Sequence, residues 1–151
     1  MIHLQDCKFV SITPPQVIVD NASWTTAELD TKDWNYATIV VYFGAMDIAM
    51  VALKVQESDT SGSGFADVTG LVFGTSNTIA GSASTLPSAT DDNKFFLFDI
   101  NLTGRKRYLD LVATGGDGTA GTYLIAHAIL SRGQETPVTA AERGASQILR
   151  A

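Results

Sequence analysis

At 151 residues the chain is long enough to bury one real core and too short for two ordinary domains. Sixteen acidic residues against ten basic ones leave a net charge of −6, a field that repels phosphate backbones and anionic headgroups, so neither nucleic acid nor a membrane surface is an expected partner. Cys7 is the single cysteine, which excludes an intrachain disulfide and a cysteine-cluster metal site; with no basic-then-apolar leader and no run near the ~20 apolar residues of a membrane helix, the chain is expected to be cytoplasmically made and soluble.

Residues 1–34 carry two short β-like pieces, 7–12 and 16–20. Thr13-Pro14-Pro15 separates them and forbids a continuous ladder, because proline donates no backbone hydrogen bond. The first piece therefore reads as an arm or an edge strand, and residues 1–15 are assigned as an N-terminal arm ahead of a sandwich over 16–131. Trp24 and Trp34 flank the polar run 25–33 and are expected to anchor it against the core.

Residues 36–44 give the strongest strand signal. Ile39, Val41 and Phe43 fall on one face and Val40 and Tyr42 on the other, so both faces call for burial: one against an opposing sheet, the other against a neighbouring subunit or a covering loop. A turn at 44–47 follows. In 51–56, Val51, Leu53 and Val55 alternate with Ala52, Lys54 and Gln56, the period of a strand with one face in water. Residues 58–64 supply a turn, and 65–68 begin the return strand.

The glycine-, serine- and threonine-rich stretch 70–92 exceeds an ordinary connection yet holds Leu71, Val72, Phe73, Ile79 and Leu86, which marks an ordered excursion rather than a linker. Residues 94–102 form another strand, with Phe96, Phe98, Ile100 and Leu102 together. A turn at 103–107 leads to 108–114, where Leu109, Leu111 and Ala113 oppose Asp110 and Thr114. The glycine-rich segment 115–121 reads as a hairpin turn, and 122–131 as a last strand that is apolar on both faces. The expected fold is all-β, an antiparallel β-sandwich.

Beyond residue 131 the alternation stops, and 132–151 are assigned as a C-terminal tail. Arg132, Arg143 and Arg150 against Glu135 and Glu142 reverse the local charge to +1 (three minus two). Thr139-Ala-Ala-Glu142 has the spacing of a capping box, Gly144 limits any helix to a turn or two, and Ile148 and Leu149 place an apolar pair almost at the terminus. A tail that docks on a neighbour accounts for these features.

None of the candidate chemistry assembles. The only histidines are His3 in the arm and His127 between Ile125 and Ile129, and no Gly-x-Ser-x-Gly elbow exists. Asp59, Asp67, Asp91, Asp92 and Asp117 lack the alternating spacing of a calcium loop. The 115–121 segment lacks the Lys-Ser/Thr of a phosphate-binding loop and opens no helix. Arg105-Lys106-Arg107 is the one cationic cluster, suited to solvent or an acidic partner. No catalytic residue, metal or cofactor is expected, and the chain reads as a non-enzyme that works by presenting surfaces.

The succession 47–59, then Phe65-Ala-Asp-Val-Thr-Gly70, then Leu102-Thr-Gly-Arg-Lys-Arg-Tyr-Leu-Asp110, closed by Thr139-Ala-Ala-Glu-Arg-Gly144 and Ile148-Leu-Arg150, resembles small virion proteins of tailed bacteriophages encoded beside the major capsid protein. That resemblance covers most of 15–150 and implies a jelly-roll-like sandwich, an oligomer (trimer or dimer), made in the bacterial host cytoplasm and placed on the capsid surface as a cement or decoration protein bound to the major capsid protein. The partner contacts are expected at Arg105, Lys106, Arg107, Arg132, Arg143, Ile148, Leu149 and Arg150. A tail or head fibre module binding host-surface glycans through Trp24, Trp34 and Tyr123 is the alternative.

Overall fold

Period-two alternation decides the architecture. In the computed structural model, which describes residues 4–15, 18–75 and 84–149, the strands are β1 (Lys8–Thr13), β2 (Leu29–Asp30), β3 (Tyr36–Met46), β4 (Ala52–Ser58), β5 (Ala66–Val72), β6 (Phe95–Asn101), β7 (Tyr108–Thr114) and β8 (Thr122–Ser131). They form two four-stranded sheets, β1-β8-β3-β6 and β2-β7-β4-β5, antiparallel throughout. The protein is an all-β sandwich, as its alternation requires. Among the described residues no helix is long and apolar enough to cross a membrane.

The core is the sum of the inward rows. Ile39, Val41 and Phe43 of β3 and Leu124, Ala126, Ala128 and Leu130 of β8 face Leu53 and Val55 of β4 and Leu109, Leu111 and Ala113 of β7, all buried. Each large side chain removed from water in this way contributes about 1.5–3 kcal/mol. Phe96, Phe98 and Ile100 line one open side, where Phe73 packs edge-on against the two phenylalanines with centroids 5.2 and 5.0 Å away. Trp24 is buried and Trp34 packs against the core, so both rings anchor their loop.

Connectivity departs from the sequence reading. Of strands adjacent in sequence only β4 and β5 pair; every other ladder joins distant strands, in the nested pairs 1–8, 2–7, 3–6 and 4–5 with two further ladders, 3–8 and 4–7. The turns at 103–107 and 115–121 are therefore crossings between sheets and not hairpins. The physical reason is that each strand buries one apolar row against the opposite sheet, and a short loop spans the ~10 Å between sheets as readily as it closes a hairpin. Val51 is a second correction: it precedes β4 and is 63% exposed, whereas Leu53 and Val55 face inward as expected. The two-residue β2 lies in the polar run 25–33, where only Leu29, fully buried opposite Leu109, carries a strand signal. Of the 16–20 piece, Val19 bridges Thr122, and residues 16 and 17 lie outside the described residues.

One end of the sandwich carries the short connections 31–35, 59–65 and 102–107; the other carries 14–28, 47–51, 73–94 and 115–121. Carboxylates lace the longer loops together. Asp47 accepts from the Thr119 and Ala120 amides at 2.5 and 2.6 Å, Asp20 from the Gly118 amide at 3.0 Å, and Asp92 from the Met46 amide at 2.9 Å. Within the 70–92 excursion Leu86 packs against the core and the Pro87 carbonyl accepts from Met50, while Ile79 lies outside the described residues.

The tail returns to its own sandwich. The Thr139 hydroxyl accepts from the Glu142 amide and the Glu142 carboxylate from the Val138 and Thr139 amides, a capping box as the spacing requires. Gly144, at φ +72°, ends the turn, with its amide bonded to Ala141 and that of Ala145 to Ala140. The Arg143 carbonyl then accepts from Phe9 at 2.9 Å, so the turn closes the outer edge of β1. Of the two alternatives for the first β-like piece, the structure shows the edge strand.

Candidate functional site

The alternation that buries one row of each strand turns the other row outward, and on the β1-β8-β3-β6 sheet that outer row is apolar. The cross-strand register aligns Phe9 with Ile129, Thr38 with Ile129 and Asp99, Val40 with His127 and Leu97, and Tyr42 with Ile125 and Phe95. Phe95, Leu97, Tyr123 and Tyr36 are 63, 49, 48 and 39% exposed. The Tyr42 and Phe95 rings lie 4.6 Å apart. These are large apolar side chains in one surface, and contiguous patches of this kind mark interaction sites.

Polar groups gather at one end of this face, where Tyr36, Thr38, Asp99, Ser131 and Arg132 line a shallow cleft. There Asp99 accepts from the Thr38 hydroxyl at 2.8 Å, and the Arg132 guanidinium lies over the Tyr36 ring, 5.2 Å from its centroid. His127 is half-buried in the outer row between Ser11 and Val40, opposite which it stands in the two ladders. No acid or nucleophile is hydrogen-bonded to it among the described residues.

The outer face of the second sheet is the reverse. Asp67 binds the Lys54 ammonium at 2.9 Å and the Gln56 amide at 2.7 Å, and these bonds hold its carboxyl below the usual range. Thr26 donates to Asp110 and Ser23 pairs with Thr114, each at 2.8 Å. At its end Arg107 grips Asp30 through Nε and Nη2 at 2.8 and 2.7 Å; the hydrogen bond from Arg107 lowers the Asp30 pKa, and the same bond raises that of Arg107.

The residues expected to meet a partner are thus dispersed. Arg105 lies 3.5 Å from Glu57, Lys106 4.0 Å from Asp59, and Arg107 on Asp30, together at the short-loop end. Arg143 donates to the Leu4 and Cys7 carbonyls within its own chain. Among the described cations of this set Arg132 alone borders the apolar face. Ile148 is half-buried, Leu149 is 97% exposed, and Arg150 lies outside the described residues. Cys7 is buried, and burial pushes its thiol pKa up.

The sequence reading missed the contribution of β6, whose Phe95 and Leu97 are the most exposed of the outer row; the signal was present in Phe95-Phe-Leu-Phe98, four apolar residues that cannot all face inward. It also missed what the 115–121 loop does with its donors. The amides that make the segment resemble an anion-binding loop are occupied by Asp20 and Asp47, and a Cβ at Gly118 would push the Asp47 carboxylate from its place. In comparisons with known proteins, no family model and no curated protein matches the chain.

Proposed function

We propose that the chain is a non-enzymatic structural protein of a tailed-bacteriophage virion, a cement or decoration protein that lies on the outer capsid shell. The single observation that carries this reading is the apolar outer face of the β1-β8-β3-β6 sheet, a rigid surface suited to covering another protein surface. The nested strand pairs 1–8, 2–7, 3–6 and 4–5 support reading the sandwich as a jelly roll, an eight-stranded antiparallel ribbon wound once around. Together with the sequence resemblance, these features favour the major capsid protein as partner and the capsid surface as location.

The glycan-binding alternative draws less support. Trp24 and Trp34 hold their loop to the core, which leaves Tyr123 as the one exposed aromatic of the three.

Co-sedimentation with phage heads lacking the protein tests the proposal. The wild-type chain is expected to saturate heads, and Val40→Asp combined with Ile125→Asp to weaken binding by at least about 100-fold while leaving the fold intact, because two carboxylates then have to be desolvated in the contact. Undiminished binding by the double variant would remove the face from the proposal, and failure of the wild type to bind any head would remove the capsid.

A further inference from the structure

A sandwich of open sheets has four edges, and three are blunted here. The β1 edge is closed by the tail turn through Phe9 and Arg143. The β2 edge is two residues long and ends in the Asp30–Arg107 ion pair. The β5 edge carries a register irregularity in its ladder, Asp67 held by Lys54, and Gly70 at φ +90°. Short length, charge and bulges are the ordinary devices that stop an edge from pairing with another chain.

The fourth edge, β6, is seven residues long, has no register irregularity in its ladder, and carries a single charge, Asp99. It runs Phe95-Phe-Leu-Phe-Asp-Ile-Asn101, unbroken by proline, glycine or lysine. The hydrogen bonds at its two ends fix which backbone groups are open: Phe43 donates to the Lys94 carbonyl and Leu102 to that of Asn35. Along the antiparallel ladder with β3, Phe96, Phe98 and Ile100, opposite Val41, Ile39 and Ala37, therefore turn their amides and carbonyls toward β3. Those of Phe95, Leu97 and Asp99 face away from the sheet, and among the described residues nothing pairs with them.

We infer that β6 pairs antiparallel with β6 of a second copy across a two-fold axis, joining two first sheets into one continuous sheet. The register follows from parity. Leu97 opposite Leu97 of the second copy, with Phe95 opposite its Asp99, is a register in which the open groups of these three residues meet open groups and both apolar outer rows stay on one side. It covers Phe95 and Leu97, the two most exposed members of the row. The inference goes beyond capsid attachment and does not depend on it.

Sedimentation equilibrium combined with residue-resolved amide exchange tests it. The expected result is a closed dimer in which the Phe95, Leu97 and Asp99 amides exchange at least about 100-fold more slowly than in the dissociated chain at high dilution. Leu97→Pro removes one of the open donors without touching a bond to β3, and it is expected to sediment as a folded monomer. A trimer, a monomer at every concentration, or a dimer whose three amides exchange freely overturns the inference, as does protection that persists in a monomeric species. Because exchange is read on the unmodified chain, the outcome stands even if Leu97→Pro does not fold. Head co-sedimentation is scored separately, so loss of the dimer with heads still bound rejects the edge pairing alone, and the converse rejects attachment alone.

Discussion

The two outer faces are built by the same alternation and end in opposite states. On the second sheet the outward groups satisfy one another: Lys54 and Gln56 on Asp67, Thr26 on Asp110, Ser23 on Thr114. On the first sheet, beyond the Thr38–Asp99 pair and His127, the outward groups are Phe9, Ile125, Ile129, Val40, Tyr42, Phe95 and Leu97, which are largely apolar and most open to water where β6 forms the rim, Phe95 at 63% and Leu97 at 49%. A hydrogen-bonded face is finished as it stands. An apolar face of this size gains only by being covered, at about 1.5–3 kcal/mol for each large side chain fully removed from water. The contrast teaches that the sandwich has a solvent side and a contact side.

The sharpest way to break the contrast is to disturb the edge at which the first sheet is already sealed. Gly144→Ala puts a Cβ into the Phe9 backbone at a positive φ that only glycine adopts without strain. It is expected to lower stability by about 1–3 kcal/mol, from strain plus lost docking of the tail on β1. Chemical denaturation checks this. Truncation after Gln147, which removes only residues beyond that turn, is expected to leave the denaturation midpoint unchanged.

Acid distinguishes the faces next. Asp30 and Asp67 have folded-state pKa values held below the usual carboxylate range by Arg107 and by Lys54 with Gln56. As pH falls, the unfolded chain takes up these protons first, so the stability the pairs contribute is complete above about pH 4 and is lost as pH drops through the depressed values. Urea midpoints measured from neutral pH down to about pH 2 should decline in that window, and Asp67→Asn should flatten part of the decline.

Salt sharpens the comparison at the level of binding. If heads are gripped by the apolar face, affinity at about 0.5 M sodium chloride should stay within about twofold of that at 0.05 M, whereas attachment through Arg105, Lys106 and Arg107 would weaken steeply. The smallest effect is expected of Arg107→Gln, which removes an exposed ion pair at the end of the polar face. Its melting temperature should fall by no more than about two degrees, with head binding unaltered. A clear loss of binding in that variant would move the contact to the short-loop end.

Much of this was legible in the chain itself. The period-two rows of residues 36–44, 94–102, 108–114 and 122–131 specify strands and even their inward faces, because alternation is a local property of a pleated backbone. Thr139-Ala-Ala-Glu142 and Gly144 likewise specify a turn capped at both ends from within six residues, and the doubly apolar rows at 36–44 and 122–131 announced that one sheet would have a second face to cover. Local chemistry decides these features, so the sequence by itself determines them.

Only the tertiary structure decided which strands become neighbours. Nothing near residue 8 says that β1 lies beside β8, or that β6 pairs with β3 while β7 crosses to the other sheet, since such choices depend on how all the inward rows share one core. Edge position followed from that choice, and with it the open backbone of Phe95, Leu97 and Asp99. The cations expected to meet a partner were resolved in the same way: charge is visible in sequence, but whether Arg107 faces solvent, a partner or Asp30 is fixed by a strand 77 residues away. The sequence carried the alternation; packing assigned each row and each edge its neighbour.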